Sequence, residues 1–400
     1  MKQAVKKNVS GIKKKGLSAF KEKRGLNVSA DNLAVSNADK PMEWLVMPEG
    51  FVQATKLPGF ACGYVHMVGG FSDTGKSTII NHILVAAQKQ GFIPVIFDTE
   101  NAMDFTYLRN MGFECEPIKD VVDVEIVDEN TGEVGIVQEE QIIGYDGDFL
   151  YYNNTILAQQ YGQWDYSSGK ETKNKRSEAV LEDIATCMKD LLDAQDSGDI
   201  DKGLVFIWDS VGSICSYKSF KSPTPQNMFD AGAISQAFTN LLNARIPSSR
   251  KQSSPYTNTM VVINKIWLDN MTTPMAMPTV KYKGGNTFFY ATHGIVAHVG
   301  GALTSGTKKL KAVSKGATYQ YGIISKISIK KSHLPSPWNI TYENELICTG
   351  HGIISRDELP KYQKEHVADM LSELNKILAA ENKVATEADV IFTEEESKDE

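Results

Sequence analysis

The stretch Gly70-Phe-Ser-Asp-Thr-Gly-Lys-Ser77 decides the fold of this 400-residue chain. It follows an apolar run at residues 64–68, and it opens into residues 78–87, whose apolar positions recur at helical spacing. A glycine-bounded loop between a buried strand and a helix is the pattern of a Walker A phosphate-binding loop. Glycines let the backbone wrap a phosphate group, and the helix N-terminus adds partial positive charge. The stretch therefore predicts an α/β fold that binds a nucleoside triphosphate.

Two residues of this loop have individual expected roles. Lys76 would reach the terminal phosphates, and the Ser77 hydroxyl would complete the coordination of Mg²⁺. A glycine-rich turn that binds nothing is the alternative, and the complete spacing with both flanks argues against it. The residues expected to contact ATP in and beside the loop are Gly70, Phe71, Ser72, Asp73, Thr74, Gly75, Lys76, Ser77 and Thr78.

Composition narrows the class of protein. The chain is 42% hydrophobic and 23% charged, which is typical of a globular protein with one large core. Its net charge of -7 argues against a generally basic nucleic-acid binder, so any DNA site must be a local patch. The five cysteines are scattered without CxxC pairing, which fits a reducing cytoplasm and argues against zinc. No stretch approaches the roughly 20 apolar residues of a membrane span, so we expect a cytoplasmic protein without membrane association.

Charge is distributed unevenly along the chain. The first 40 residues are basic, and a mobile arm, a helix that docks on a neighbouring subunit and a nucleic-acid contact all remain open for them. We expect a basic segment at 1–40, an ATPase core at 41–355 with an insertion at about 116–177, a small helical region at 356–385 and a disordered acidic tail at 386–400.

Acidic residues follow two predicted strands of the core. The run 91–97 ends at Asp98-Thr-Glu100, and the run 204–208 ends at Asp209, a Walker B pattern in which Asp209 holds Mg²⁺ through water. Glu100 can polarise a water for attack on the γ-phosphate; a helix cap or a surface carboxylate is an equal alternative on spacing alone.

Three further segments have the composition of binding loops. The insertion contains a predicted hairpin at 121–137 and then, at 159–176, basic residues interleaved with aromatic ones. Such a mixture binds nucleic acid by charge and stacking, or it forms a polar surface loop. Residues 216–231 and 267–285 are predicted to be long loops at the carboxyl edge of the sheet, where binding residues concentrate.

The order of these landmarks resembles the RecA-type recombinase family across most of residues 59–355. Residues 98–112, Asp-Thr-Glu-Asn-Ala-Met-Asp-Phe-Thr-Tyr-Leu-Arg-Asn-Met-Gly, resemble the family segment that carries the catalytic glutamate. The resemblance implies that Glu100 activates water and that Asp104 and Tyr107 flank the adenine base.

Gly284-Gly-Asn286 resembles the end of the family's second DNA-binding loop. The resemblance implies that residues 267–283 enter the DNA and that 216–230 form the first DNA loop. The apolar residues among them are wedges between bases or fillers of the protein's own core. The implied DNA-binding residues are Lys218, Lys221, Met228, Phe229, Met275, Met277, Lys281, Lys283, Gly284, Gly285 and Asn286.

Two positions differ from the family pattern. Asn264-Lys265 stands where the bacterial enzymes have Asn-Gln, so a lysine replaces the glutamine that senses the γ-phosphate. Lys331-Ser-His333 resembles the Lys-x-basic pair that reaches a neighbouring subunit's ATP, with a histidine whose charge depends on pH. The implied catalytic set is Glu100, Lys76, Lys265, Lys331 and His333.

Within the family, the chain is more similar to phage UvsX-like recombinases, which implies the cytoplasm of a bacterial host. The resemblance implies an enzyme of DNA recombination and repair that uses ATP and Mg²⁺. It would form a helical homo-oligomeric filament on single-stranded DNA, pair it with homologous double-stranded DNA and release it on hydrolysis. Single-strand-binding or mediator proteins are candidate partners of the acidic tail. The alternatives are a hexameric replicative helicase and an ATP-gated recombination mediator.

Overall fold

The computed structural model describes residues 38–127, 134–173, 175–222, 227–269, 279–282, 287–301, 306–379 and 383–396. Several predictions lie outside these residues. They concern the basic segment up to residue 37, the end of the acidic tail after residue 396, and the DNA-binding candidates Met275, Met277, Lys283, Gly284, Gly285 and Asn286.

The first half of the chain alternates strands and helices. In order these are β1 Trp44–Val46, α1 Glu49–Thr55, β2 Gly59–Ala61, β3 Val65–Gly70, α2 Lys76–Lys89, β4 Ile93–Asp98, α3 Phe105–Asn110, β5 Glu116–Val127, β6 Val134–Asp146, β7 Leu150–Asn153, α4 Asn154–Tyr161, β8 Trp164–Asp165, β9 Lys170–Glu171, α5 Leu181–Ser197 and β10 Leu204–Asp209.

The second half is richer in strands. It contains α6 Tyr217–Lys221, α7 Asn227–Asn240, a π-helical turn Leu241–Arg245, α8 Ile246–Ser248, β11 Thr259–Asp269, β12 Thr279–Tyr282, α9 Thr287–Ala291, β13 Ile295–Val299, β14 Lys308–Ser314, β15 Ala317–Ser332, β16 Glu343–Thr349, β17 Gly352–Ile354, α10 Leu359–Glu365, α11 Val367–Ala379, a 3₁₀ turn Glu387–Asp389 and β18 Ile391–Glu396.

A mostly parallel sheet forms the centre of the molecule. Its parallel strands lie in the order β13-β3-β11-β10-β4-β7, and β15, β16 and β17 extend it antiparallel beside β13. The parallel strands are near-continuous apolar runs because helices cover both of their faces. On β10, Val205 and Ile207 pack with α2, whereas Phe206 and Trp208 face the other side. The predicted α/β class with a mostly parallel sheet is confirmed.

The insertion contains the predicted hairpin, and its strands are longer than the alternation indicated. β5 and β6 pair antiparallel from Glu116 opposite Asp146 to Val127 opposite Val134. The stretch at 159–176, one reading of which was a nucleic-acid contact, is instead partly built into the protein. Arg176 is 8% exposed and paired with the fully buried Asp183, and the Tyr166 hydroxyl also bonds Asp183.

Neither predicted DNA loop is a simple loop. The 216–231 segment contains α6 and the start of α7, and Ser216 caps α6 by accepting a hydrogen bond from the Ser219 N–H. β11 continues to Asp269 and pairs antiparallel with β12, so residues 266–269 and 279–282 form a two-stranded ribbon. Cross-strand pairing therefore replaces the predicted loop at residues 267–269 and 279–282.

The prediction of a disordered tail from residue 386 onward was wrong for residues 391–396. β18 pairs antiparallel with β14, which places Glu396 opposite Lys308 and Glu395 opposite Lys309. Phe392 also packs against the apolar cluster beneath α11. Backbone pairing, opposite charges and one aromatic anchor together order a segment whose composition alone suggested disorder.

A separate property concerns membranes. Among the described residues, the helices are all too short or too polar to span a bilayer.

Candidate nucleotide-binding site

The sheet brings the predicted nucleotide residues to one edge. Asp209 at the end of β10 pairs with Asp98 at the end of β4, and Lys265 on β11 pairs with Gly70 at the end of β3. Because these strands are parallel, their carboxyl ends meet at the edge where open α/β sheets bind ligands. The register thus gathers Gly70, Asp98, Asp209 and Lys265 around one cleft.

The loop at 70–77 is closely surrounded by backbone and side chains. A Cβ on Gly70 would lie 2.2 Å from the Val299 carbonyl oxygen, and one on Gly75 would lie 2.6 Å from Cys348 Sγ. Gly75 also has a φ of +94°, a conformation that favours glycine. Because Gly75 is the N-cap of α2, no side chain caps this 14-residue helix. Such a helix N-terminus suits the binding of phosphate.

Lys76 is buried at the start of α2. Its ammonium donates a hydrogen bond to the Phe71 carbonyl oxygen, which also accepts one from Thr74 Oγ1 at 2.9 Å. Burial lowers the pKa of Lys76 to about 8, although the Asp209 carboxylate favours the charged form. A buried cation with one neutral acceptor is well suited to receive an anionic phosphate oxygen.

Glu100 lies between two donors. Lys265 Nζ is 2.8 Å from Glu100 Oε1, and the Ser210 hydroxyl donates to the same oxygen. Burial alone would raise the pKa of Glu100, but these two hydrogen bonds and the charges of Lys265 and Lys76 hold it below its usual value. Glu100 is therefore a carboxylate at neutral pH, as a general base must be.

Asp209 is more buried than Glu100. Burial first, and then the charges of Glu100 and Asp98, raise the pKa of Asp209 to about 6. The described residues contain no cluster of three His, Cys, Asp or Glu side chains that could hold a metal ion. A Mg²⁺ ion that enters with a nucleotide would be held by the exposed Ser77 hydroxyl and by Asp209 through water, with phosphate oxygens as its other ligands.

Sequence reasoning missed the residues that position Glu100. Asp98 accepts hydrogen bonds from the Ala102 and Met103 N–H groups at 3.1 and 2.9 Å and from the Tyr151 hydroxyl at 2.9 Å. Thr99 N–H donates to the Asp209 carbonyl at 2.8 Å, which joins the ends of β4 and β10. The sequence did contain one signal for Ser210: it is a polar residue at the end of a strand, directly after the Walker B aspartate.

The two residues expected to flank adenine occupy α3. Asp104 is its N-cap and accepts a hydrogen bond from the Tyr107 N–H at 3.0 Å. The Tyr107 hydroxyl donates to the Thr349 carbonyl at 2.9 Å, and burial raises the pKa of Tyr107 to about 12. Thr349 adjoins Cys348, which packs against Gly75, so Tyr107 lies near the loop through the end of β16.

Lys331 and His333 lie away from this edge. Lys331 on β15 pairs with Val296 near the amino end of β13, whereas the phosphate loop follows the carboxyl end of β3. Lys331 Nζ donates to the carbonyl oxygen of Phe289 in α9 at 2.7 Å, and His333 is exposed. The fold therefore separates these two basic residues from the chain's own phosphate loop.

The described DNA-binding candidates are surface cations. Lys218, Lys221 and Lys281 are exposed. Lys221 also pairs with Asp165 at 3.1 Å and lies 4.4 Å from the centre of the Tyr217 ring. For Met228 and Phe229 the structure describes only the backbone, which belongs to α7. The structure therefore brings Lys218 and Lys221 together on α6 and leaves Lys281 on the ribbon.

Comparisons with known proteins identify relatives of limited extent. No family model matches the chain. Protein RecA of Desulforapulum autotrophicum is 35% identical over 66 residues, which are 16% of this chain and 19% of the relative. Protein RecA of Mesomycoplasma hyopneumoniae strain 7448 is 28% identical over 112 residues, which are 27% of this chain and 32% of the relative. Protein RecA of Thermotoga neapolitana is 27% identical over 121 residues, which are 29% of this chain and 33% of the relative.

The matches therefore span at most about a third of these relatives' length. The similarity to these proteins is consistent with the mostly parallel sheet. It is also consistent with the phosphate loop, the carboxylates and the lysine at the carboxyl edge of that sheet. Over these partial stretches the chain is similar to proteins named RecA, which supports its resemblance to the RecA-type recombinase family.

Proposed function

We propose that this chain is an ATP-dependent DNA recombinase of the phage UvsX-like type. It assembles as a filament on single-stranded DNA, pairs that strand with a homologous duplex and promotes strand exchange. ATP hydrolysis then releases the filament. The cofactors are ATP and Mg²⁺, and the setting is the cytoplasm of a bacterial host.

One observation carries the proposal: the cations that we assign to catalysis lie at opposite ends of the parallel strands of one subunit. Lys76 and Lys265 border the loop at the carboxyl edge, and Lys331 and His333 lie near the amino end of β13. Stacking subunits head to tail brings the second pair to the loop of a neighbour. A head-to-tail contact that does not close into a ring gives a helical filament.

The cleft residues have separable roles in hydrolysis. Bound ATP with Mg²⁺ supplies the phosphoryl group and its electrophilic phosphorus. Lys76 and the helix N-terminus would hold the phosphates, and Ser77 and Asp209 would hold the metal, Asp209 through water. Glu100 accepts the proton of the attacking water, while Ser210 and the Thr99 contact fix its position.

DNA binding in this proposal depends on local cations rather than on net charge. Lys218 and Lys221 on α6 and Lys281 on the ribbon are exposed and would contact the phosphate backbone. The acidic residues of β18 are also exposed and offer a surface for a basic mediator or for a single-strand-binding partner. Base pairing, not side chains, would read the sequence.

A mixing experiment tests the shared site directly. The variants Lys76→Ala and Lys331→Ala should each lose DNA-dependent ATPase activity. Mixed in equal amounts, they should recover about a quarter of the wild-type rate, because random assembly makes about a quarter of the interfaces fully wild-type. No recovery from the mixture would place both lysines in one subunit's site or outside the reaction.

Electron microscopy tests the assembly independently. With single-stranded DNA and a slowly hydrolysed ATP analogue, wild-type protein should form helical filaments and Lys76→Ala should not. Closed rings would favour a hexameric helicase, and bound DNA without strand exchange would favour a mediator.

A further inference from the structure

An ion pair joins the residue expected to sense the γ-phosphate with the residue expected to activate water. Lys265 Nζ lies 2.8 Å from Glu100 Oε1, with side-chain exposures of 44% for Lys265 and 21% for Glu100. Lys265 is thus the more exposed member of the pair. Glu100 also keeps a second donor, the Ser210 hydroxyl, which does not depend on Lys265.

Lys265 stands beside the phosphate loop. Its backbone is in register with Gly70, the first residue of that loop, on the neighbouring parallel strand. Its charge also acts on Lys76, whose pKa it helps to lower, and on Asp209, where it opposes the rise in pKa. The Lys265 ammonium therefore lies close to both the Glu100 carboxylate and the phosphate loop.

We propose that Lys265 exchanges ionic partners when a nucleoside triphosphate binds. Without a triphosphate, it is held by Glu100 and neutralises the base. With a triphosphate, it moves to the γ-phosphate and leaves Glu100 bonded to Ser210 and free to accept a proton. The inference rests on the proposed nucleotide function and gives Lys265 a role that a neutral side chain cannot fill.

The exchange discriminates between nucleotides. A γ-phosphate carries more negative charge than one carboxylate, so it can compete for the ammonium. A diphosphate ends one phosphoryl group short and leaves the pair intact. A glutamine at this position could donate a hydrogen bond to the phosphate, but without a charge it could not hold the carboxylate in an ion pair.

The pair also adjoins the ribbon. Ile266, the next residue, is the first of β11 to pair with β12, opposite Tyr282. Movement of the Lys265 side chain therefore occurs at the point where β11 leaves the main sheet.

A double-mutant cycle tests the exchange by binding rather than by activity. Calorimetry with ATPγS and with ADP, both with Mg²⁺, would compare the wild type, Glu100→Gln, Lys265→Gln and the double variant. In the Lys265 background, Glu100→Gln should tighten ATPγS binding about fivefold, since binding no longer has to break a partly exposed ion pair. ADP binding should not change. In the Lys265→Gln background, the same substitution should have no effect.

Two controls make the result specific. Glu343→Gln removes a carboxylate from another Lys–Glu pair, with Lys326 at 3.4 Å, and should leave nucleotide binding unchanged. Lys265→Arg retains a cation and should preserve the coupling to Glu100. Circular dichroism checks that every variant is folded.

Several outcomes would overturn the proposal. An equal gain from Glu100→Gln in both backgrounds would mean that removing a negative charge, not freeing Lys265, strengthens binding. No gain in the Lys265 background would also overturn the exchange while leaving the nucleotide site intact. Absence of ATPγS binding by the wild-type protein would instead overturn the proposed function itself.

Discussion

The ring of Tyr282 lies against Gly69. A Cβ on Gly69 would come within 2.7 Å of Tyr282 Cε1, so only glycine leaves room for the ring there. Tyr282 stacks in turn on Phe289, with ring centres 5.5 Å apart, and Lys331 Nζ lies 5.1 Å from the Phe289 ring. A continuous line of contacts therefore connects the strand before the phosphate loop, the ribbon and Lys331.

Substitution at Gly69 should disturb this line of contacts. We expect Gly69→Ala to lower the free energy of unfolding by about 1–3 kcal/mol, because a rigid ring and a strand must move apart. Urea denaturation measures the change. Gly350→Ala is the matched control, since no atom lies within 4 Å of a Cβ at Gly350, and it should be close to neutral. The double variant Gly69→Ala/Tyr282→Ala should recover part of the lost free energy of unfolding. If it did not, a clash with the Tyr282 ring would not be the cause of the loss.

Nucleotide binding should depend on pH at both ends of the neutral range. The pKa of Asp209 is raised to about 6, so below that value the carboxyl gains a proton and loses its attraction for Mg²⁺. The pKa of Lys76 is lowered to about 8, so above that value its charge is lost. The affinity for ATPγS with Mg²⁺ should therefore be highest between about pH 6 and 8.

Calorimetry from pH 5 to 9 would measure this profile. The Asp209→Asn variant should bind ATPγS with Mg²⁺ more weakly than the wild type. It should also lose the part of the fall in affinity at acidic pH that is due to protonation of Asp209. Because titration of the nucleotide is common to both proteins, the difference between their profiles reports Asp209. Identical acidic declines would contradict its role at the metal.

The Arg176–Asp183 pair should stabilise the fold. Arg176 Nη2 lies 2.7 Å from Asp183 Oδ1 and Nη1 lies 3.0 Å from Oδ2, so the two groups are bidentate and buried. Arg176→Met leaves a buried carboxylate without its cation, and we expect a loss of about 3–5 kcal/mol in the free energy of unfolding. The exposed Lys170→Met should change it by less than about 0.5 kcal/mol. Weakened DNA binding at unchanged stability would instead restore the nucleic-acid interpretation of Arg176.

Two substitutions at Asp104 separate a helix cap from a contact with adenine. Asp104→Ala removes the cap of α3 and should cost about 1 kcal/mol of stability, whereas Asp104→Asn keeps an acceptor and should cost less. Denaturation measures the cap, and calorimetry with ATPγS measures the contact. Equal nucleotide affinity in all three proteins would assign Asp104 to the helix alone.

The phosphate loop and the parallel strands were predictable because their signals are local. Gly70 to Ser77 and the apolar run before Asp209 each carry their pattern within about ten residues. The Lys265–Glu100 pair was not predictable in this way, since it depends on the order of strands in the sheet. Arg176 looked like a nucleic-acid contact because composition does not reveal a buried partner. β18 looked disordered because its partner, β14, lies about 80 residues earlier.

β18 affects the tendency of the sheet to pair with a strand of another molecule. The backbone of β14 would otherwise form an open edge, and an open edge is a template for strand pairing with another molecule. β18 covers it and presents Glu394, Glu395 and Glu396 to the solvent. β18 becomes the outer strand in its place, and acidic side chains on an outer strand disfavour pairing with the strand of a second molecule.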